Sequence, residues 1–220
     1  MAIVTISREF ASGGHAIARK AAELLGYSCV DKDVIAKILA GYGLTDFKEE
    51  YEETAGIWTA FDARYKTMVN MLQRVAFSVA RRGRAVLLGR GSFVLLAGLP
   101  GVLNVRLRAP VEWRVTRAME QQRLTDRSRA EDAVRDGDRV RSSFLSSIYG
   151  QRWDSMEHFD LIMNTSKIAV GAAASWIAEA ARALPPADPQ ASPASRASVD
   201  PRAFAADPTL DEAVKAELGA

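Results

Sequence analysis

Two adjacent glycines and a scattering of arginines carry most of the chemistry open to this chain. Residues 3–16, IVTISREFASGGHA, take an apolar β-branched run into a small-residue loop and then into a helical stripe. Gly13 and Gly14 lack a Cβ, so backbone N–H groups there can converge on an anion at a helix N-terminus, where the dipole favours negative charge. The chemistry suggested is phosphate binding through Ala11, Ser12, Gly13, Gly14, His15 and Ala16. The full phosphate-loop pattern G-x-x-x-x-G-K-[ST] adds a lysine for the terminal phosphates and a hydroxyl for Mg²⁺. Here Gly14, or His15 after a one-residue shift, stands at the lysine position and Ala16 at the hydroxyl position. The same residues also read as a plain strand–turn–helix opening with no ligand.

If the loop does bind phosphate, charge must come from elsewhere. Arg8, at the strand-to-loop junction, is one candidate, and Ser12 or Ser7 with several waters is a candidate ligand set for Mg²⁺. Gly89-Arg90-Gly91 follows the buried run RAVLL, and open α/β sheets place ligands at such strand ends. Arg90 therefore either stands where a ligand would sit or is a solvated turn residue. Asp31 suits an N-cap of the helix that follows. Between residues 123 and 152, seven arginines, among them Arg135, Arg139 and Arg141, alternate with acids. Such a run is commonly a solvated face. His15 and His158 have no metal-ligand spacing with Cys29 or with each other, so no structural metal is assigned.

The elements that must position these residues alternate. A helix over 14–25 stops at Gly26, and a second runs from Asp31 to about Ala40. Ile57, Phe61, Tyr65, Met68, Leu72, Val75 and Val79 recur at threes and fours, predicting a helix over 57–82 whose stripe suits core or self-association. Residues 84–89, 102–107 and 159–163 read as buried strands. Helices over 110–123 and 168–184 complete a β/α alternation, so a parallel sheet of about five strands between helices is expected. Six of the eight prolines lie at 185–208, which reads as a linker. The following residues 209–220 suit a short amphipathic helix that either docks on the body or opens a further domain.

Composition sets limits. At 220 residues the chain can fill one full core, and a net charge of +2 gives no global case for nucleic acid. Acids interleaved through 123–152 and few aromatics argue further against RNA. The single cysteine, Cys29, excludes an intrachain disulfide and reads as a small buried residue. No apolar run approaches a membrane span and the start of the chain is strand-like, so a cytoplasmic location is expected.

The opening IVTISREFASGGHAIA, with YSCVDKDVI from Tyr27, resembles the cytidylate kinase-like family of P-loop nucleoside monophosphate kinases. Three further blocks agree in order: VLLGRGSFVLL at 86–96, VRLRAPVEWRVTRAMEQ at 105–121 and DRVRSSFLSSIYGQRWDSMEHFDLIMNTSKI at 138–168. The resemblance spans about 3–180 and shares the missing lysine, while Ala11 for a usual glycine and His15 for a frequent arginine are departures of this chain. It implies a three-layer P-loop kinase domain over 1–184 with an arginine-rich helical lid over about 123–152. It also implies ATP with Mg²⁺ and a nucleoside monophosphate, CMP or dCMP, as acceptor. Asp31 and Arg90 would then face the acceptor. Arg139, Arg141 and Asp138 match the family's D-K-x-R lid segment, and with Arg8 these arginines would stand in for the lysine. A nucleotide-binding regulatory module that has lost turnover is the alternative.

Overall fold

β1 (Ile3–Arg8) is buried on both faces, as suits a central strand of a parallel sheet. The computed structural model describes residues 2–44, 63–97, 99–185 and 205–219. Beside β1 lie β3 (Ala85–Leu88) and β4 (Val102–Arg108), with β2 (Ser28–Val30) and β5 (Leu161–Asn164) outermost. All pairs are parallel, in the order β2-β3-β1-β4-β5, with Ile3 opposite Ala85 and Ser7 opposite Arg106. From β1 the chain crosses to one side for β2 and β3, then to the other for β4 and β5. The carboxyl end of β1 is therefore the topological switch point, where such sheets open a crevice.

The helices are α1 (Gly14–Leu25), α2 (Lys32–Gly41), α3 (Ala63–Arg82), α4 (Ser92–Leu95), α5 (Val111–Gln122), α6 (Arg127–Tyr149), α7 (Val170–Ala183) and α8 (Pro208–Leu218). α1 and α7 cover one sheet face: Ile17, Ala18, Ala21, Ala173, Ala174 and Ile177 pack on Val4, Ile6, Val86, Val105 and Leu107. The alanines let these helices approach closely, and truncating Ile6 or Ile177 to Ala would cost about 2–5 kcal/mol. α2, α3 and α8 cover Ile3, Val30, Ala85 and Leu87 on the other face.

Element boundaries follow local chemistry. Gly26 ends α1 in the left-handed region (φ 65), and Asp31 caps α2 by accepting from the amides of Asp33 and Val34. Pro110 is the N-cap of α5 rather than a residue of its first turn. β5 begins at Leu161, two residues later than predicted, because Phe159 turns to stack on Phe93 at 4.6 Å. α4 was not expected. The predicted 57–82 helix is seen as α3; its residues 57–62 lie outside the described part, as do 186–204 of the proline-rich stretch. The C-terminal helix takes the docked placement, burying Leu210 and Val214 against α2 and α3.

Candidate active site

The loop after β1 is held by its own backbone. Ser12 donates its amide and its hydroxyl to the carbonyl of Glu9, at 3.3 and 2.8 Å, and Thr165 donates to the carbonyl of Ser12 at 2.7 Å. Ala11 (φ 58) and Gly13 (φ 79) take left-handed conformations. That explains why a glycine suits position 11, and why alanine there costs about 1–2 kcal/mol. No side chain caps α1, so its first N–H groups face the loop without a protein acceptor from that source.

Three guanidiniums meet at this edge. The stem of Arg8 lies against Gly14 and its head against Gly89: a Cβ on Gly14 would come within 2.7 Å of Arg8 Cγ, and one on Gly89 within 1.9 Å of Arg8 Nη1. Burial, and then the charge of Arg141, push Arg8 down to about 10. Arg90, itself left-handed (φ 61), is pushed down to about 9, by burial first and then by Arg8 and Arg141. Arg141 is lowered by burial too, although Asp138 offsets part of the effect. It lies 5.5 Å from the Phe10 ring, and its buried Nε has no hydrogen-bond partner. Asp31 adds favourable field to Arg8 and Arg90. Like charges held together out of water are unfavourable unless an anion completes the site.

A second network ties α6 to the loop. Asp138 accepts from the amide of Phe10 at 2.8 Å and from Arg114 at 2.6 Å, and Arg114 reaches Glu9 at 3.5 Å. Glu9 in turn accepts from the amide of Ala109 at 2.9 Å. Gly137 permits this approach, since a Cβ there would lie 2.6 Å from the Phe10 ring. Beneath the junction, buried Arg106 donates to Ser7 Oγ at 2.7 Å and stacks under Trp153 at 4.1 Å.

The structure gathers some predicted residues and separates others. Arg8, Arg90, Arg141 and Asp31 come together, with His15 Nε2 3.7 Å from Asp31. Arg139 does not join them: residues two apart on a helix point to opposite sides, so Arg139 faces outward and pairs with Asp136 at 3.1 Å. Arg135 is likewise outside, paired with Asp132. Asp138 positions the loop rather than facing its open side. The hydroxyls expected for Mg²⁺ are both engaged: Ser7 accepts from Arg106, whose charge disfavours a cation there, and buried Ser12 donates to the Glu9 carbonyl. Asp31 remains as the carboxylate beside the cluster, which fits an ion carried by substrate phosphates and touched through water rather than one caged by protein. Among the described residues, no group of three or more His, Cys, Asp or Glu is placed to hold a metal. Cys29 is half-buried, and burial followed by Asp31 raises its thiol to about 11, which removes it from nucleophilic chemistry.

Glu9, Arg106, Arg114 and Trp153 were missed. Arg106 left a signal: a charged residue inside the apolar run VLNVRLR is expensive to bury, so its presence marks a site.

Known proteins resemble this chain at two levels. A family model described as "Cytidylate kinase-like family" matches residues 3–167. A crystal structure of an uncharacterized protein from Eubacterium ventriosum superposes with a TM-score of 0.66 at 18% identity, covering 83% of this chain and 99% of that one. Shikimate kinase from Bacteroides thetaiotaomicron superposes at 0.52 with 13% identity, covering 82% and 98%. No curated protein sequence matches. At these identities the superpositions speak for the fold.

Proposed function

Because the chain belongs to the cytidylate kinase-like family, over residues 3–167, we propose that it transfers the γ-phosphoryl group of ATP to a nucleoside monophosphate, with CMP or dCMP as acceptor. The observation that carries the proposal is the convergence of Arg8, Arg90 and Arg141 at the carboxyl ends of β1 and β3.

In this reading the loop amides and the α1 N-terminus hold the ATP phosphates, and Arg90 clamps the acceptor phosphate. An acceptor phosphate oxygen attacks the γ-phosphorus in line; its new P–O bond forms as the bond to the β-bridging oxygen breaks, and ADP leaves with that electron pair. Arg8 and Arg141 face the charge that spreads over the three equatorial oxygens, and Arg8 takes the part that a loop lysine plays elsewhere. Asp31, on the acceptor side, is the residue that would meet, through water, an Mg²⁺ ion carried by ATP, and such an ion would supply charge neutralisation to the phosphates. Asp138 and Arg114 hold α6 over the loop, which limits water at the reacting phosphoryl group. Nothing here calls for a membrane or nucleic-acid partner; no helix among the described residues is long and apolar enough to cross a membrane.

The engaged hydroxyls of Ser7 and Ser12 favour a second reading, a nucleotide-binding regulatory module with little turnover. ADP release from Mg·ATP across a panel of nucleoside monophosphates separates the two, with Arg90→Met and Arg141→Met as controls. Turnover selective for CMP or dCMP and lost in both variants is the expected result. ATP binding without turnover on any acceptor would replace the kinase reading with the regulatory one.

A further inference from the structure

α8 is joined to the rest of the chain through residues outside the described part, yet it fills a specific place. It lies between α2 and α3 and touches each more extensively than they touch each other. Leu210 and Val214, both buried, enter the core shared by Ile35, Ile38, Leu72 and Val75. A ring of polar contacts surrounds these anchors. One oxygen of Asp207 accepts from Tyr42 of the α2 cap at 2.9 Å and from Arg74 of α3 at 2.7 Å, while the other caps α8 itself. Asp211 accepts from Ser78 and from Arg81 at 2.9 Å, again on α3. At the far end Glu217 pairs with Lys37 of α2 at 3.3 Å, and the Leu218 carbonyl accepts from Ser28 of β2 at 3.4 Å.

α2 is the helix whose N-cap is Asp31, beside Arg8 and Arg90. Whatever fixes α2 therefore fixes the acidic edge of the site. We propose that α8 is a positioning clamp for the acceptor side: by holding α2 to α3, it sets the first turn of α2, and with it Asp31, against the arginine cluster. Asp207 is the principal positioning residue, because its one carboxylate joins all three helices. This inference rests on the acceptor reading of the site above. Its consequence is graded: α1, β1 and the loop amides pack on the opposite sheet face from α8, so ATP, which meets Asp31 only through water by way of its Mg²⁺, loses less than the acceptor does.

Asp207→Asn tests the clamp in the full chain. Asparagine caps helices as well as aspartate does, so α8 keeps its own start, but a neutral amide loses the charge-assisted bond from Arg74. The measurements are calorimetric titrations with CMP and with Mg·ATP, and hydrogen exchange of the amides of residues 33–36. Expected are CMP binding weaker by about tenfold, faster exchange at 33–36, and ATP binding changed by less than about twofold. Tyr42→Phe, which removes the other arm, is expected to act in the same direction. Unchanged CMP affinity, or equal losses for CMP and ATP, would overturn the clamp and leave α8 a structural helix. If the unsubstituted protein bound no nucleotide, the kinase reading would fail on its own, and the exchange data alone would decide whether α8 sets α2.

Discussion

Restoring the lysine of the common phosphate loop at position 14 is expected to damage this protein rather than improve it. Gly14 is where that lysine would stand, and the space beside it is already filled: a Cβ there would lie 2.7 Å from Cγ and 2.8 Å from Cβ of Arg8. Those atoms are at the root of the arginine side chain, so they cannot swing away without moving β1. Overpacking of this kind costs about 1–3 kcal/mol, and leaving glycine for a better helix former returns at most about 1 kcal/mol. Gly14→Ala should therefore lose about 1 kcal/mol, or roughly 2–4 °C in Tm for a chain of this size. Gly14→Lys should lose more. Any displacement of Arg8 removes a charge-assisted phosphate contact of about 1.5–3 kcal/mol, so affinity for Mg·ATP should fall by about 10- to 100-fold. Thermal melts and titration with a non-hydrolysable ATP analogue read both effects. The double variant Arg8→Ala/Gly14→Lys closes the cycle: with the arginine stem gone the lysine has room, and the double variant should be more stable than Gly14→Lys alone. A Gly14→Lys protein that melts at the wild-type temperature and binds ATP as well or better would refute the claim that Arg8 occupies the lysine's place.

Four further outcomes are expected. Ala11→Gly relieves a left-handed alanine (φ 58) and should stabilise the protein by roughly 1 kcal/mol, read by chemical denaturation. Asp138→Asn leaves buried Arg114 with Glu9 as its remaining carboxylate and should destabilise by roughly 3 kcal/mol; a loss below 1 kcal/mol would show that α6 is not fastened at this point. Arg90→Met should weaken CMP binding by at least tenfold while leaving Tm equal or higher, because it removes one of three crowded cations. Between about pH 9 and the ordinary arginine range, Arg90 is discharged when folded and charged when unfolded, so the unfolded chain binds more protons. That group's contribution to stability should therefore rise with pH through about 9, while CMP affinity falls, and both trends should vanish in Arg90→Met.

The order of the elements was legible in the sequence because it is written locally. The β-branched run in IVTIS and the apolar run AVLL, the alanine-rich stripe of α1, the stop at Gly26 and the cap at Asp31 each depend on neighbours within a few residues. The loop's position between a buried strand and a helix likewise put the candidate site at the carboxyl end of a strand; that this end is the switch point follows only from the strand order. The family resemblance added chemistry that periodicity does not hold.

Which arginines gather beside the loop was decided only by packing. Helical geometry alone says that Arg139 and Arg141 point apart; that Arg141 faces inward follows from Gly137 seated on Phe10 and Asp138 fastened to Arg114, contacts across more than a hundred residues for the loop and more than twenty between α5 and α6. Arg106 and Ser7, 99 positions apart, meet because β4 pairs with β1 in one register and no other. α8 is the extreme case: eleven residues too short to hold a helix in water, it forms because Leu210 and Val214 have a groove to fill. Local sequence sets which elements exist and in what order, since backbone preference is a short-range property. Which side chains converge is decided by the folded structure, since convergence is fixed by the faces that elements bury against partners far away in the chain.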